Sequence, residues 1–146
     1  MHIKSNDIVE IFLGGTLEEL GQLASALDLF CKQYGLDDLT KNQINLILEE
    51  LYMNTANYGF KDIKNGRVTI RLTIADGQLE IFYQDNGVAF NPLERDNPDT
   101  LLSVDDRAIG GLGIFLVKTL TNHLAYSRVD QYNQITMKKT LPLKRN

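Results

Sequence analysis

"VTIRLTIADGQLEIFYQDNGVAF", Val68–Phe90, decides the fold. Val68, Ile70, Leu72 and Ile74 alternate with polar partners, the period of a strand with one buried face. Asp76-Gly77 then supplies the left-handed backbone of a tight hairpin turn. Leu79, Ile81 and Tyr83 continue on a return strand that stops at "QDNGVAF". A hairpin this regular needs a cover for its apolar face, so the flanking segments should provide helices.

They do on both sides. "DIVEIFLGG" (Asp7–Gly15) alternates as a short strand, and Thr16 with Glu19 forms a capping-box signature. Leu17, Leu20, Leu23, Ala24, Leu27 and Phe30 recur at helical spacing up to Tyr34-Gly35. Thr40 and Gln43 suggest a second capping box, opening a helix that should end near Gly59. Downstream, Asn91 to Gly110 is polar, carries Pro92 and Pro98, and has no strong period. A loop of about twenty residues inside a compact domain usually has a function or is mobile. "GGLGIFLVKTLTNHL" then reads as a helix, with strands around Leu124–Asp130 and Gln134–Leu141. The order β-α-α-β-β-loop-α-β-β predicts an α/β two-layer sandwich, helices on one face of a mixed or antiparallel sheet.

At 146 residues and 43% hydrophobic content, one domain over residues 1–146 can bury a core. A net charge of −4 and a pI near 5.1 argue against direct nucleic-acid binding or a polybasic membrane surface. No apolar run reaches the roughly 18–20 residues of a spanning helix, and "MHIKSNDIVEIF" is not a signal peptide. The single cysteine, Cys31, cannot form an internal disulfide and falls in a helical pattern, which points to a buried structural thiol. A cytoplasmic protein is expected.

The helix ending in "EELYMNTANYG" (Glu49–Gly59) carries an unusual stripe. Ile44, Ile47, Leu48 and Leu51 form one apolar wedge, while Glu50, Asn54 and Asn57 fall within about 60° of one another. Hydrophobic residues border the stripe: Ile47 on one edge, Leu46 and Met53 on the other. Asn45, Glu49 and Ala56 project toward solvent. The stripe is either a partly exposed helix edge or a site wall, since an isolated buried carboxylate is costly. As a wall, an Asn carbonyl oxygen could ligate a hard cation such as Mg²⁺ while the Glu took a proton nearby.

Two more elements bear on that choice. "DNGVAF" (Asp85–Phe90) follows a strand directly, and it is either an ordinary turn or a place for a purine amino group to meet the Asp85 carboxylate. "GGLGIFLVK" (Gly110–Lys118) puts glycines at the mouth of a helix, either a hinge or an anion site built from exposed backbone N–H groups. It is neither a Walker loop nor a dinucleotide fingerprint.

In order, "EELYMN", "DNGVAF" and "GGLGIFLVK" resemble the N, G1 and G2 boxes of the GHKL ATP-binding superfamily, from about Leu17 to Leu141. Within it the short layout is most similar to the bacterial anti-sigma-factor serine/threonine-protein kinases. The resemblance implies the Bergerat fold, ATP and Mg²⁺ as cofactors, and a lid over residues 91–110. It implies that Asp85 binds the adenine amino group, with Gly87 giving the ring room and Ala89 closing the box. Asn54 would ligate Mg²⁺; Asn57 would stand on the nucleotide wall; Gly110, Gly111, Leu112 and Gly113 would hold phosphate oxygens. Glu50 would be the general base for a serine hydroxyl. The implied partners are a STAS-domain anti-sigma-factor antagonist as substrate, a sigma factor or other regulatory protein, and a second copy in a homodimer.

This chain departs from the pattern at Asn57, where many relatives carry Lys or Arg, leaving Arg107 or Lys118 to compensate. The lid is acidic, with Glu94, Asp96, Asp99, Asp105 and Asp106. Neither His2, near the terminus, nor His123, closing a helix, is placed as a phospho-acceptor. Three readings follow: a protein-serine kinase that also binds a partner, a nucleotide-gated binding module with weak catalysis, and a structural domain without nucleotide.

Overall fold

The computed structural model describes residues 8–94 and 111–142, and of 111 and 112 the backbone alone. Five strands form one sheet: β1 (Ile8–Leu13), β2 (Val68–Ala75), β3 (Gln78–Asp85), β4 (His123–Val129) and β5 (Tyr132–Thr140). Their order is β1-β2-β3-β5-β4, and every neighbouring pair is antiparallel. Among the described residues, three α-helices accompany them: α1 (Leu20–Tyr34), α2 (Asp38–Asn54) and α3 (Gly111–Leu120). The two-layer sandwich and the element order read from the sequence are both present.

The register turns the period of two into one continuous apolar layer. Ile11, Ile70, Tyr83 and Ile135 lie in one cross-strand row, and Val9, Leu72, Ile81 and Met137 in the next. These rows join Leu23, Leu27 and Phe30 of α1, Ile44, Ile47, Leu48 and Leu51 of α2, and Ile114 and Val117 of α3 in a single core. Cys31 is buried in it, and burial pushes its thiol above the ordinary range, as a structural cysteine requires. The opposite sheet face mixes polar side chains with a few exposed apolar ones; on it Arg71 pairs with Glu10 at 2.9 Å and lies over the Phe82 ring. The turn between β2 and β3 has Asp76 and Gly77 at φ 54° and 75°, the left-handed pair that the sequence requires there.

Helix beginnings differ in how well the caps were read. Before α1, the Glu19 carboxylate reaches back to the Thr16 N–H (3.3 Å) and also accepts from Gly14 N–H at 2.8 Å. Those bonds, the Gly14 one above all, hold Glu19 below its ordinary pKa. The second expected cap lies three residues too late: α2 is capped by Asp37, whose carboxylate accepts the Thr40 N–H at 2.8 Å. Both candidates fit the preferred chemistry, but Asp37 supplies the first turn with Asp38 and lets α2 begin directly after the Gly35-Leu36 turn. Asn45, Glu49 and Ala56, expected on the wet side, are half-buried, and the Asn45 amide donates to Glu49 at 3.3 Å.

α2 does not end as an α-helix. Thr55–Gly59 is a π-helical turn, closed by Phe60 N–H on Thr55 O at 2.9 Å. Such wider turns concentrate at functional sites. This one carries the chain from the core to the end of the sheet where β3 terminates.

Candidate functional site

The inner row at that end of the sheet is Leu13, Val68, Asp85 and Asn133, with two polar residues side by side where the middle rows are built on aliphatic and aromatic side chains. Asp85 is 7% exposed and must therefore be satisfied by protein groups. Its Oδ1 accepts the Gly87 N–H and the Asn133 side-chain amide, both at 2.9 Å, and its Oδ2 accepts the Thr55 hydroxyl at 3.0 Å. A carboxylate has about four acceptor positions, so one on Oδ2 is left for a further donor.

Beneath it, Thr55 Oγ1 lies 2.7 Å from the Tyr83 hydroxyl and 3.0 Å from Leu51 O. Tyr83 is fully buried, and burial holds its phenol well above the ordinary range, so it serves as a neutral hydrogen-bonding group. Thr55 is placed for this contact one helical turn beyond Leu51, on the inward face of α2 where the π turn begins.

A cleft with about 670 Å³ of space, part of it open to solvent, lies over these residues. Asn54, Thr55 and Tyr58 form one wall, Tyr83, Asp85 and Asn133 the base, and Ala89, Phe90 and Ile114 another side. The wall material is mainly apolar, and its convergent polar groups sit at the base. That suits a flat ring with an edge of hydrogen-bonding atoms. Gly87 closes against the π turn: a Cβ there would lie 2.6 Å from Gly59 O and 3.1 Å from Asp85 Oδ1. Val88 N–H donates to the same Gly59 carbonyl at 3.0 Å, so the glycine lets two backbone segments meet under the cleft.

The other end of the site lies where α2 meets α3. Glu50 is half-buried, and its carboxylate occupies the space over Gly113 that any Cβ would need. Burial, with a smaller contribution from the Glu49 charge, raises the Glu50 pKa above the ordinary carboxylate value. Gly111 opens α3, whose first-turn N–H groups form the positive end of its dipole. At the opposite end, Lys139 Nζ donates to Leu120 O at 3.0 Å, the complementary charge for the helix C-terminus.

The structure thus brings Asn54, Asp85 and Ala89 into one cleft, sets Gly87 beneath it, and joins Glu50 to Gly113 beside it. Asn57 stands apart: it is exposed and does not line the cleft. In a π turn each residue advances by less than the roughly 100° of an α-helix, so the stripe shared by Glu50 and Asn54 is broken before Asn57. Gly110, Arg107, His2 and the acidic positions 96, 99, 105 and 106 lie outside the described residues, as do the Leu112 side chain and most of the expected lid. Of that lid, Pro92–Glu94 forms a short 3-10 turn, with Pro92 against the cleft. Among the described residues no Lys or Arg lines the cleft.

Thr55, Tyr83 and Asn133 were not singled out from the sequence as site residues, although a signal existed for two of them. Thr55 continues the apolar wedge of Leu48 and Leu51, where a hydroxyl is out of place. Asn133 occupies an inward position of the alternation Ile135, Met137, but β5 begins two residues before the strand start read from the sequence.

Known proteins resemble this chain in sequence and in fold. The chain is 26% identical over 143 residues to "Serine-protein kinase RsbW" of Bacillus subtilis (strain 168), covering 94% of this chain and 88% of that one. It is 26% identical over 94 residues to "Serine/threonine-protein kinase BtrW" of Bordetella bronchiseptica, covering 64% of this chain and 66% of that one. The fold of the RsbU and RsbW domains of Rv1364c from Mycobacterium tuberculosis superposes with a TM-score of 0.66 at 15% identity, over 93% of this chain and 33% of that one. The model of the histidine kinase-like ATPase domain matches residues 14–139. These matches bear out the expectation of a kinase-type ATP-binding domain of the GHKL class. The chain belongs to the histidine kinase-like ATPase domain family.

Proposed function

We propose that this protein is an ATP-dependent protein-serine kinase that phosphorylates a STAS-domain antagonist and binds a sigma factor or another regulatory protein. The observation that carries the reading is the half-buried Glu50 on Gly113, at the mouth of α3 and one helical turn from Asn54. A nucleotide-binding domain needs the cleft and Asp85; a carboxylate raised in pKa beside the phosphate end is needed for transfer.

The residues fit ATP. Asp85 offers one acceptor position to an amino group, Ala89 beside the cleft leaves room for a ring, Gly87 lets the backbone beneath it close on the π turn, and the first-turn amides of Gly111 and Gly113 suit phosphate oxygens. Asn54 presents an amide to the same cleft, a suitable ligand for Mg²⁺. No cluster of three or more His, Cys, Asp or Glu able to hold a metal occurs among the described residues, so Mg²⁺ would be held jointly with the phosphates. When bound, Mg²⁺ neutralises charge developing on the β- and γ-phosphate oxygens. In transfer, the serine hydroxyl oxygen bonds to the γ-phosphorus, the bond from that phosphorus to the bridging oxygen breaks, and ADP leaves. Glu50 takes the hydroxyl proton.

The likeness to the serine-protein kinase RsbW and the serine/threonine-protein kinase BtrW supports the acceptor class, a serine or threonine of a protein. A homodimer in the cytoplasm completes the reading. Ile8 and Phe12, exposed on the outer face of edge strand β1, supply apolar surface for a second copy. No helix of the described residues is long and apolar enough to cross a membrane.

A second reading is favoured by the exposure of Asn57 and by a cleft that no Lys or Arg lines among the described residues: a nucleotide-gated binding module with weak catalysis. Co-purification with a cognate STAS protein, followed by incubation with γ-labelled ATP, separates the two. Transfer by the wild type, lost by about 10²–10⁴-fold in Glu50→Ala, supports the kinase. Tight partner binding without transfer supports the module, and transfer by Glu50→Ala at the wild-type rate refutes the base assignment.

A further inference from the structure

The C-terminal hairpin grips the cleft through groups that the kinase reading does not use. Asn133 of β5 makes four side-chain hydrogen bonds. Its Nδ2 donates to Asp85 Oδ1 (2.9 Å) and Val88 O (2.8 Å), and its Oδ1 accepts from Phe90 N–H (3.1 Å) and the Tyr126 hydroxyl (2.6 Å). Arg128 of β4 adds a bond from its guanidinium to Gly87 O at 2.9 Å. Asn133 stands directly opposite Asp85 in the β3–β5 register, so the sheet itself holds the pair in place.

The orientation of this amide is forced. Asp85 and the Val88 carbonyl accept, whereas the Phe90 N–H can only donate, so a flipped amide would face acceptor with acceptor and donor with donor. Asn133 therefore has a donor half turned to Asp85 and an acceptor half turned to the Phe90 backbone and Tyr126. The donor half matters for the ligand. With Asn133 and Gly87 filling Oδ1 and Thr55 on Oδ2, the acceptor position left to a ring in the cleft is on Oδ2. The base of the cleft then accepts a hydrogen and cannot offer one.

We propose that Asn133 is a positioning residue that fixes the Asp85 carboxylate as a pure acceptor and thereby sets selection of a 6-amino purine over a 6-oxo purine. The inference rests on the kinase reading only in taking the cleft as the purine site. A 6-amino group donates to Oδ2, whereas a 6-oxo group turns a carbonyl oxygen toward it. One charge-assisted hydrogen bond gained or lost corresponds to about 10- to 150-fold in affinity.

The test compares binding of ATP and inosine triphosphate, which differ in the 6-substituent and in the N1 proton that the 6-oxo ring carries, to the wild type, Asn133→Asp and Tyr126→Phe. Asn133→Asp keeps the size and the acceptor half but replaces the donor half with an oxygen. Two facing carboxyl groups then share a proton, so the pair can donate as well as accept. The ATP-to-inosine-triphosphate affinity ratio is expected to be at least about 10 in the wild type and to fall by about 10-fold or more in Asn133→Asp. Tyr126→Phe removes only an acceptor-half bond and should keep the ratio within about 2-fold, since it leaves Asp85 untouched. Should Asn133→Asp fail to fold by circular dichroism, Asn133→Ala, which removes the donor to Asp85 Oδ1 outright, carries the same expectation. A folded Asn133 variant with the wild-type ratio overturns the proposal, as does an equal fall in Tyr126→Phe, which would report loosening instead of selection. A wild type that binds neither nucleotide overturns both this proposal and the purine site, whereas ATP binding without a ratio overturns this proposal alone.

Discussion

Replacing Gly113 by alanine separates the base from the fold. A Cβ at this position would lie 2.6 Å from Glu50 Cδ and 3.2 Å from its Cγ, with Oε2 closer still. Carbon contacts settle near 3.5–4.0 Å, so the carboxylate must retreat by about 1 Å. The obstructing atoms are the far end of a flexible side chain, and moving them costs about 0.5–1.5 kcal/mol if a strained rotamer results. Alanine in place of glycine inside α3 returns about 1 kcal/mol of helix propensity. Thermal unfolding of Gly113→Ala should therefore fall within about 1 kcal/mol of the wild type. Displacing a catalytic group by 1 Å, in contrast, costs about 10²-fold in rate. Single-turnover transfer of γ-labelled phosphate to a STAS protein should drop by about that factor, while calorimetric ATP affinity changes far less. Wild-type transfer rates in a folded Gly113→Ala protein would refute the assignment of Glu50. A loss of several kcal/mol would show instead that Glu50 is locked in place structurally.

Two further variants probe neighbouring claims. Glu50→Gln should raise the melting temperature at neutral pH, because burial holds the native-state pKa of Glu50 above its unfolded value. The native protein then binds the extra proton, so the ionisation penalty grows as pH rises through that pKa and vanishes below about pH 4; equal melting curves at pH 4 and pH 7.5 would contradict this. Thr55→Val leaves Asp85 Oδ2 and the Tyr83 hydroxyl short of a partner in the interior. It should cost about 1–3 kcal/mol in urea unfolding, and a change under about 0.5 kcal/mol would mean that the network is dispensable.

How much of this was legible in the sequence depends on how local each signal is. The Val68–Phe90 hairpin, with its inward and outward alternation and Asp76-Gly77 turn, needs only neighbouring residues, and it fixed both the sheet and the position of Asp85. The glycines before α3 and the Glu50–Asn54 step were readable for the same reason. Asn57 was not, because the π turn at Thr55–Gly59 departs from α-helical spacing, and nothing in the local residue pattern marks that change. Asn133 depends on strand register, which sets it opposite Asp85 only once β3 and β5 pair. Asp37 displaced Thr40 as the α2 cap although both are good capping residues, a choice set by where the preceding turn delivers the chain.

The central claim is that the buried Asp85 receives the amino group of ATP in the cleft it floors. Isothermal titration of Mg-ATP into the wild type and Asp85→Asn tests it directly. The isosteric amide keeps the size but loses a charged acceptor, so binding should be saturable in the wild type and weakened by at least about 10-fold in Asp85→Asn. Equal affinities in the two folded proteins, or no heat from the wild type, would contradict it.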